Sequence, residues 1–339
     1  MARVDPTLAA LRAHEVPGWW RAAKLGIFVH WTPASVAGFA PAHGDYGELL
    51  TSGRRDAFSY SPYTEWYQNS LRFPGSPVAR HHAEAWGDRP YEAFVTDFEA
   101  GLSTWDPEAW ARAFADTGAG YVVLVAKHHD GWCLWPSAIE NPHKPGWHSS
   151  RDLVGELAAA VRDAGMRFGV YYSGGLDWTF CDTPMGSMGS MVQAIPRGDY
   201  PAYAEAQVRE LIERYEPSVL WNDIAWPAPG RELWPLMADY YRTVPEASST
   251  IAGCRGRRCS PWPRRGSAAG RSTGPHDVKP TPTAAWCHRG RRTSTCARRS
   301  TPPSPRSRRP RGSACEGWTT PLGTTPSRLP MISSPVRTS

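Results

Sequence analysis

Four short apolar runs, each closing on polar or titratable residues, constrain this 339-residue chain more than any other feature. They are KLGIFVHW (24–31), GYVVLVAKHHD (120–130), RFGVYYSGG (167–175) and SVLWND (218–223). All are rich in Val, Ile, Leu and aromatic residues, as strands buried on both faces must be. Helical stretches lie between and after them. In WDPEAWARAFADTGAG (105–120), Asp106 suits an N-cap, Pro107 the first helical position, and Gly118 and Gly120 a stop. Trp110 and Phe114 sit one turn apart there and would face a sheet. RDLVGELAAAVRDAG (151–165) sets Leu153, Leu157 and Val161 on one stripe. AEAQVRELIERY (204–215) does the same with Val208, Leu211 and Ile212. In GRELWPLMADYYRT (230–243), Pro235 is expected to disturb the first turns.

Repeated strand–helix units imply parallel strands joined by right-handed crossovers. No GxGxxG or P-loop follows the first strand, which removes support for nucleotide-binding doubly wound sheets. The polar residues fall at the C-terminal ends of all four strands: His30, then His128, His129 and Asp130, then Tyr171, then Asp223. A (β/α)8 barrel gathers its active site at that rim. The expected fold is therefore α/β, an incomplete (β/α)8 (TIM-like) barrel.

Charge divides the chain in two. Of 38 Lys and Arg and 32 acidic residues, 18 basic residues and only two acids, Asp277 and Glu316, lie from Ser248 onward. The first 247 residues carry the remaining 20 basic and 30 acidic residues, a net of −10. Residues 1–247 read as the catalytic barrel portion, and 248–339 as an Arg/Pro/Ser/Thr-rich basic tail, disordered or out of frame. No apolar run reaches the ~18 residues that span a bilayer. The opening MARVDPTLAALRAHEVPGWW lacks the order of a secretory signal, so a cytoplasmic location is expected. Cys133 and Cys181 in the front portion form neither a disulfide framework nor a zinc site.

Asp223 poses the sharpest question, since a bare carboxylate at a buried strand end is costly unless paired or used. It could cap a following helix, but Pro227 and Pro229 argue against an immediate helix start. His128 and His129 are adjacent and would point to opposite faces of a strand, giving one core and one exposed histidine. A zinc site with Asp130 and His30 lacks helix-spaced ligands such as HExxH, so no metal or cofactor is expected. Trp66, Tyr67, Trp132 and Trp135 fall in connections after strands. Aromatic rings beside carboxylates and imidazoles suit a sugar, whose C–H faces stack while its hydroxyls hydrogen-bond. A glycosidase needs two carboxyls flanking the scissile bond, and Asp223 and Glu65 are the candidates.

The matching stretches KLGIFVHW, EWY-N (65–69), KHHDGWCLWPS (127–137), RDLVGEL, GVYYSGG-DW (169–178) and SVLWNDIAWP (218–227) resemble, in order, the retaining α-L-fucosidases. The resemblance implies that Asp223 is the nucleophile. It also implies that His30, His128, His129 and Tyr171 contact fucose, and that Glu65 and Trp66 close the pocket. The implied partner is a fucosylated glycan or fucoside, the implied fold a (β/α)8-like barrel followed by a β-sandwich, and the implied reaction a double displacement needing no cofactor. A non-catalytic sugar binder and a nucleic-acid binder acting through the basic tail are the competing classes.

The pattern stops near Ala247. Reading the third base of each codon with the first two of the next, ASSTIAG (247–253) permits V-V-N-D-R-W, the strand and turn the family places next. In the same frame RGSACEGWTTPLGTTP (311–326) permits W-E and then D-S-F-G-Y-N, which the family carries near its barrel end. A shift of reading frame accounts for both, and it removes the downstream acid/base Glu that the family uses. Impaired activity is the expectation.

Overall fold

The computed structural model describes residues 6–42 and 46–250. The expectations for 251–339, including the tail and its reading frame, lie outside the described residues. Five strands form one sheet: β1 (Gly26–Val29), β2 (Tyr121–Lys127), β3 (Arg167–Tyr172), β4 (Val219–Asn222) and β5 (Ser248–Ser249). Every neighbouring pair is parallel. Spatial order equals chain order, so each crossover steps in the same direction. A doubly wound sheet reverses at a switch point. This one does not, and it forms the arc of an incomplete barrel wall. The four apolar runs are β1 to β4. β5 carries no apolar run and starts just past residue 247.

Alternation along the strands sorts side chains into two cores. Val122, Leu124 and Ala126 of β2, with Phe168, Val170 and Tyr172 of β3, face the helices in the main core. Val123, Val125, Tyr171 and Val219 face the inner side, covered at one end by Trp19 and Trp20. Phe28, on the same side by its contacts with Tyr171 and Trp221, is 38% exposed.

The helices follow their sequence signals. Asp106 accepts a hydrogen bond from the Ala109 N–H at 2.8 Å and Pro107 opens helix Pro107–Asp116. Trp110 and Phe114 are partly buried against the main core, where Trp110 meets Trp31 at 4.9 Å. Asp152 caps Leu153–Asp163 through the Gly155 N–H at 2.9 Å, and Leu153, Leu157 and Val161 are fully buried. The third helix begins earlier than its apolar stripe indicates, at Tyr200, and runs to Tyr215. Helix Gly230–Thr243 passes through Pro235 unbroken. The long connections, 128–152 and 173–199, leave the C-terminal ends of β2 and β3, while the returns into β3 and β4 are short. That asymmetry puts loop material on one rim. Among the described residues no helix is long and apolar enough to cross a membrane.

Leu157 is sealed between its helix and the sheet, so Leu157→Ala leaves a cavity in a close-packed layer. A loss of about 2–5 kcal/mol is expected, read as a lower urea midpoint at unchanged m-value.

Candidate active site

A register shift at the end of β2 builds the site. Val125 pairs with Tyr171, but Lys127 pairs with Tyr172, leaving Ala126 as an extra residue. The bulge breaks the alternation: Lys127 joins Ala126 on the helix side, where its Nζ lies 4.6 Å from the centre of the Tyr172 ring. The strand ends there. His128 and His129 therefore escape the opposite-faces rule, and the expectation of one core and one exposed histidine is corrected. Both are buried, with ring centres 4.0 Å apart.

Asp223 follows β4 directly. Its Oδ2 accepts the Tyr171 O–H at 2.9 Å and its Oδ1 accepts the Ile224 N–H at 2.7 Å. Burial and the neighbouring Asp223 carboxylate raise the Tyr171 phenol well above its usual range, so it stays a donor. Asp223 does not cap a helix, since the next one begins at Gly230. Ile224 takes φ +66°, a left-handed conformation that strains a β-branched residue by roughly 1–3 kcal/mol. Its side chain packs beside the Leu176 and Trp178 cluster, which offsets the strain. Gly174 lets the β3 loop come close, because a Cβ there would lie 2.1 Å from the Asn222 Oδ1.

The other expected residues converge on this carboxylate. His30 and Tyr171 have ring centres 5.6 Å apart, and His128 stacks on Tyr171 at 5.4 Å. Glu65, on the turn Thr64–Trp66, brings its Oε1 to 3.6 Å from the His30 Nε2. Trp66 sets its ring edge-on to His129 at 5.3 Å. Asn69 pins this segment from beneath, donating to the Met185 carbonyl and accepting its N–H, both at 2.9 Å. Partial desolvation lowers the His30 imidazole against the pull of Glu65 and Asp223. Burial lowers His128 well below its ordinary value and His129 to about 4. The histidines are thus neutral at pH 7, each one donor and one acceptor. His30, Glu65 and His128 offer three potential ligand atoms within 4.8 Å of one another. Such a set could hold a cation. It equally supplies the mixed donors and acceptors that a polyol requires.

Two buried acids hold the rim together. The Lys127 Nζ donates to the Asp177 Oδ2 at 2.6 Å, with neither side chain exposed. Burial alone would lower the ammonium, but Asp177 and the tyrosines around it raise it. The other Asp177 oxygen accepts from the Thr179 N–H at 3.0 Å and its hydroxyl at 2.6 Å. Asp130 accepts the Tyr91 O–H at 2.7 Å and the Trp132 N–H at 3.2 Å. Burial pushes its carboxyl up to about 6, against those two bonds. Trp132, Trp135 and Tyr67 are core residues rather than sugar platforms: all are buried, and the Trp135 indole N–H donates to Glu210 at 3.0 Å. Trp178, absent from the sequence-derived set, lies beside the site, its ring centre 5.5 Å from that of His129.

A carboxylate held by a tyrosine among neutral imidazoles, at the C-terminal rim of a parallel α/β wall, sits where barrel-type enzymes gather their active sites. Comparison narrows the class. Residues 1–257 match the alpha-L-fucosidase family model, and the chain belongs to the α-L-fucosidase family. Mouse tissue alpha-L-fucosidase is 31% identical over 266 residues, covering 76% of this chain and 52% of its own. The Dictyostelium discoideum alpha-L-fucosidase is 29% identical over 230 residues, covering 65% and 44%. The crystal structure of Thermotoga maritima alpha-fucosidase in complex with fucose superposes with a TM-score of 0.66 at 41% identity, covering 75% of this chain and 57% of that one. This chain spans about half the length of the curated relatives it matches.

Two stability measurements test the supporting acids. Lys127→Met removes the cation that faces the buried Asp177 carboxylate, leaving it only the two Thr179 donors, and is expected to cost about 3–5 kcal/mol; adding Asp177→Leu should recover most of it. For Asp130, the folded pKa lies above the unfolded one, so between about pH 4 and 6 the native state holds a proton that the unfolded state has lost. Stability from this group falls as pH rises through that window. Wild type should lose on the order of 2–3 kcal/mol relative to Asp130→Asn from pH 4 to pH 7, followed by urea melts.

Proposed function

We propose that the site binds a terminal α-L-fucosyl residue of a glycan or fucoside, and that Asp223 is the nucleophile of a retaining double displacement. The Tyr171–Asp223 hydrogen bond at the strand ends carries the reading: it orients one carboxylate oxygen. The relative crystallised with fucose supports the sugar. Asp223 attacks the anomeric carbon, the bond to the leaving oxygen breaks, and a glycosyl ester forms. Water then cleaves the ester with overall retention. His30, His128, His129, Glu65 and Trp66 bind and enclose the sugar, Trp66 contributing an apolar face and the imidazoles hydrogen bonds. Positive charge developing on the ring is stabilised by Asp223.

The first step also needs a proton for the leaving oxygen, from a carboxyl about 5–5.5 Å from the nucleophile in retaining enzymes. Glu65 is the second carboxylate among these residues, and His30 engages it. The resemblance puts the family's acid/base Glu downstream of the nucleophile, in the part of the sequence where the pattern is lost. Fucosides with poor leaving groups are therefore turned over poorly. Those whose leaving group needs no proton still react with Asp223.

The test compares leaving groups on the full chain. α-L-Fucosyl fluoride should be consumed and a fucosyl adduct should appear on Asp223 by mass spectrometry, while a fucosylated oligosaccharide is cleaved well below ~1 s⁻¹. Asp223→Ala should abolish both reactions. Rapid oligosaccharide cleavage would overturn the impairment, and an active Asp223→Ala variant would overturn the nucleophile. Fucose binding with no adduct would favour a sugar-binding role alone.

A further inference from the structure

The mechanism leaves one buried residue unused. Ser173 directly follows β3 and is fully buried. Its Oγ lies 2.6 Å from the His129 Nδ1 and 2.6 Å from the Leu176 carbonyl oxygen. A serine hydroxyl has one proton, and a carbonyl can only accept. The proton must therefore point at Leu176, since otherwise two acceptors would face each other at 2.6 Å with nothing between them. The serine oxygen then shows only lone pairs to His129, and the imidazole must supply the hydrogen from Nδ1.

We infer that Ser173 is a positioning residue that locks His129 in its Nδ1–H tautomer, so that the His129 Nε2 is a dedicated acceptor for a hydroxyl of the bound sugar. Resting on the fucosyl reading of the site, the inference names which way one hydrogen bond to that sugar runs. The neutral ring follows from burial, and Asp223, His30, Lys127 and Asp177 are the charged or titratable groups acting on it. With Nδ1 committed, Nε2 carries a bare lone pair. That atom is buried and has no partner among the described residues. An unmet buried acceptor is costly, and a donor hydroxyl relieves that cost on binding. The opposite tautomer would present an N–H there and would select an acceptor instead.

The Ser173 backbone is separately engaged: its N–H donates to the Lys127 carbonyl at 3.0 Å, and its carbonyl accepts the Tyr200 O–H at 3.3 Å. Removing the side-chain oxygen therefore changes the partner of His129 while leaving those two bonds in place. Ser173→Ala frees the ring to exchange tautomers. Ser173→Thr keeps the oxygen.

Long-range ¹H–¹⁵N correlation on the full chain labelled at histidine, with His129 assigned by its disappearance in His129→Gln, reads the tautomer directly. Wild type should show a protonated Nδ1 and a bare Nε2, and the Nε2 resonance should move when L-fucose is added. Ser173→Ala should populate the Nε2–H form and weaken L-fucose binding about tenfold, the worth of one hydrogen bond. Ser173→Thr should retain the Nδ1–H form and bind within threefold of wild type. An Nε2–H tautomer in wild type would overturn the inference with no variant needed. So would an unchanged tautomer in a folded Ser173→Ala. An Nδ1–H wild type that ignores L-fucose but shifts with another sugar would sink the fucosyl reading and leave the tautomer assignment standing. An Nε2 resonance that no sugar moves would overturn the acceptor role.

Discussion

A lysine ammonium and an aspartate carboxylate, both sealed from water, meet 2.6 Å apart between the end of β2 and the loop after β3. Two ions removed from water cost several kcal/mol each, so the pair is a poor way to gain stability alone. Its value here is geometric. The bulge that sends Lys127 to the helix side also ends the strand where two histidines must turn towards the rim. Asp177 then fixes the next loop against them. Gly131 takes φ +75° beside it, where a Cβ would lie 2.7 Å from the Asp177 Oδ1, so the turn after the histidines is glycine by necessity. The backbone completes the tie: the Trp178 N–H donates to the His129 carbonyl at 2.7 Å. One ion pair thus sets the positions of His128, His129, Ser173 and Trp178.

From that anchor the site acquires its polarity. Neutral imidazoles and a protonated tyrosine surround the Asp223 carboxylate. They surround it with donors and acceptors, while Glu65, the other acid here, faces His30 at 3.6 Å. Strain at Ile224 belongs to the same design. The left-handed turn lets its N–H reach back to the Asp223 Oδ1 while its side chain packs with the cluster beneath Trp66.

Much of this was legible in the sequence, and the misses share a cause. Strands β1 to β4 were readable because each buries both faces and so carries an unbroken apolar run. β5 was not, because two serines give no such pattern. Asp106 announced its helix through local capping chemistry and Leu153, Leu157 and Val161 announced the next by their stripe, whereas the third helix starts at Tyr200, ahead of its apolar stripe. His30, Asp223 and Tyr171 could be placed at a rim by counting along strands. The convergence of His128 and His129 could not, since it depends on a one-residue bulge that only pairing with β3 reveals. Trp132 and Trp135 resembled sugar platforms because a loop tryptophan looks alike in sequence whether it faces a ligand or Glu210. Ser173 gave no signal at all. Its role exists only through two 2.6 Å contacts made by distant chain.

The sheet also shows how the groups around Asp223 can be set by local supports alone. Each group around Asp223 is held by neighbours within the described part of the wall: Tyr171 by β3, the histidines by Lys127 and Asp177, Trp66 by the segment that Asn69 pins to Met185. None of these supports requires a strand beyond β5. The inner face shows the other side of that independence. Phe28 and Trp221 meet edge-to-face at 5.3 Å, yet Phe28 stays 38% exposed, whereas the interior of a closed barrel is filled by side chains from alternate strands. In a retaining displacement the proton donor and the nucleophile act from opposite faces of the sugar. Five strands in sequential order hold the Asp223 carboxylate and its neighbours on one wall, and a donor for the proposed reaction would act from the facing side.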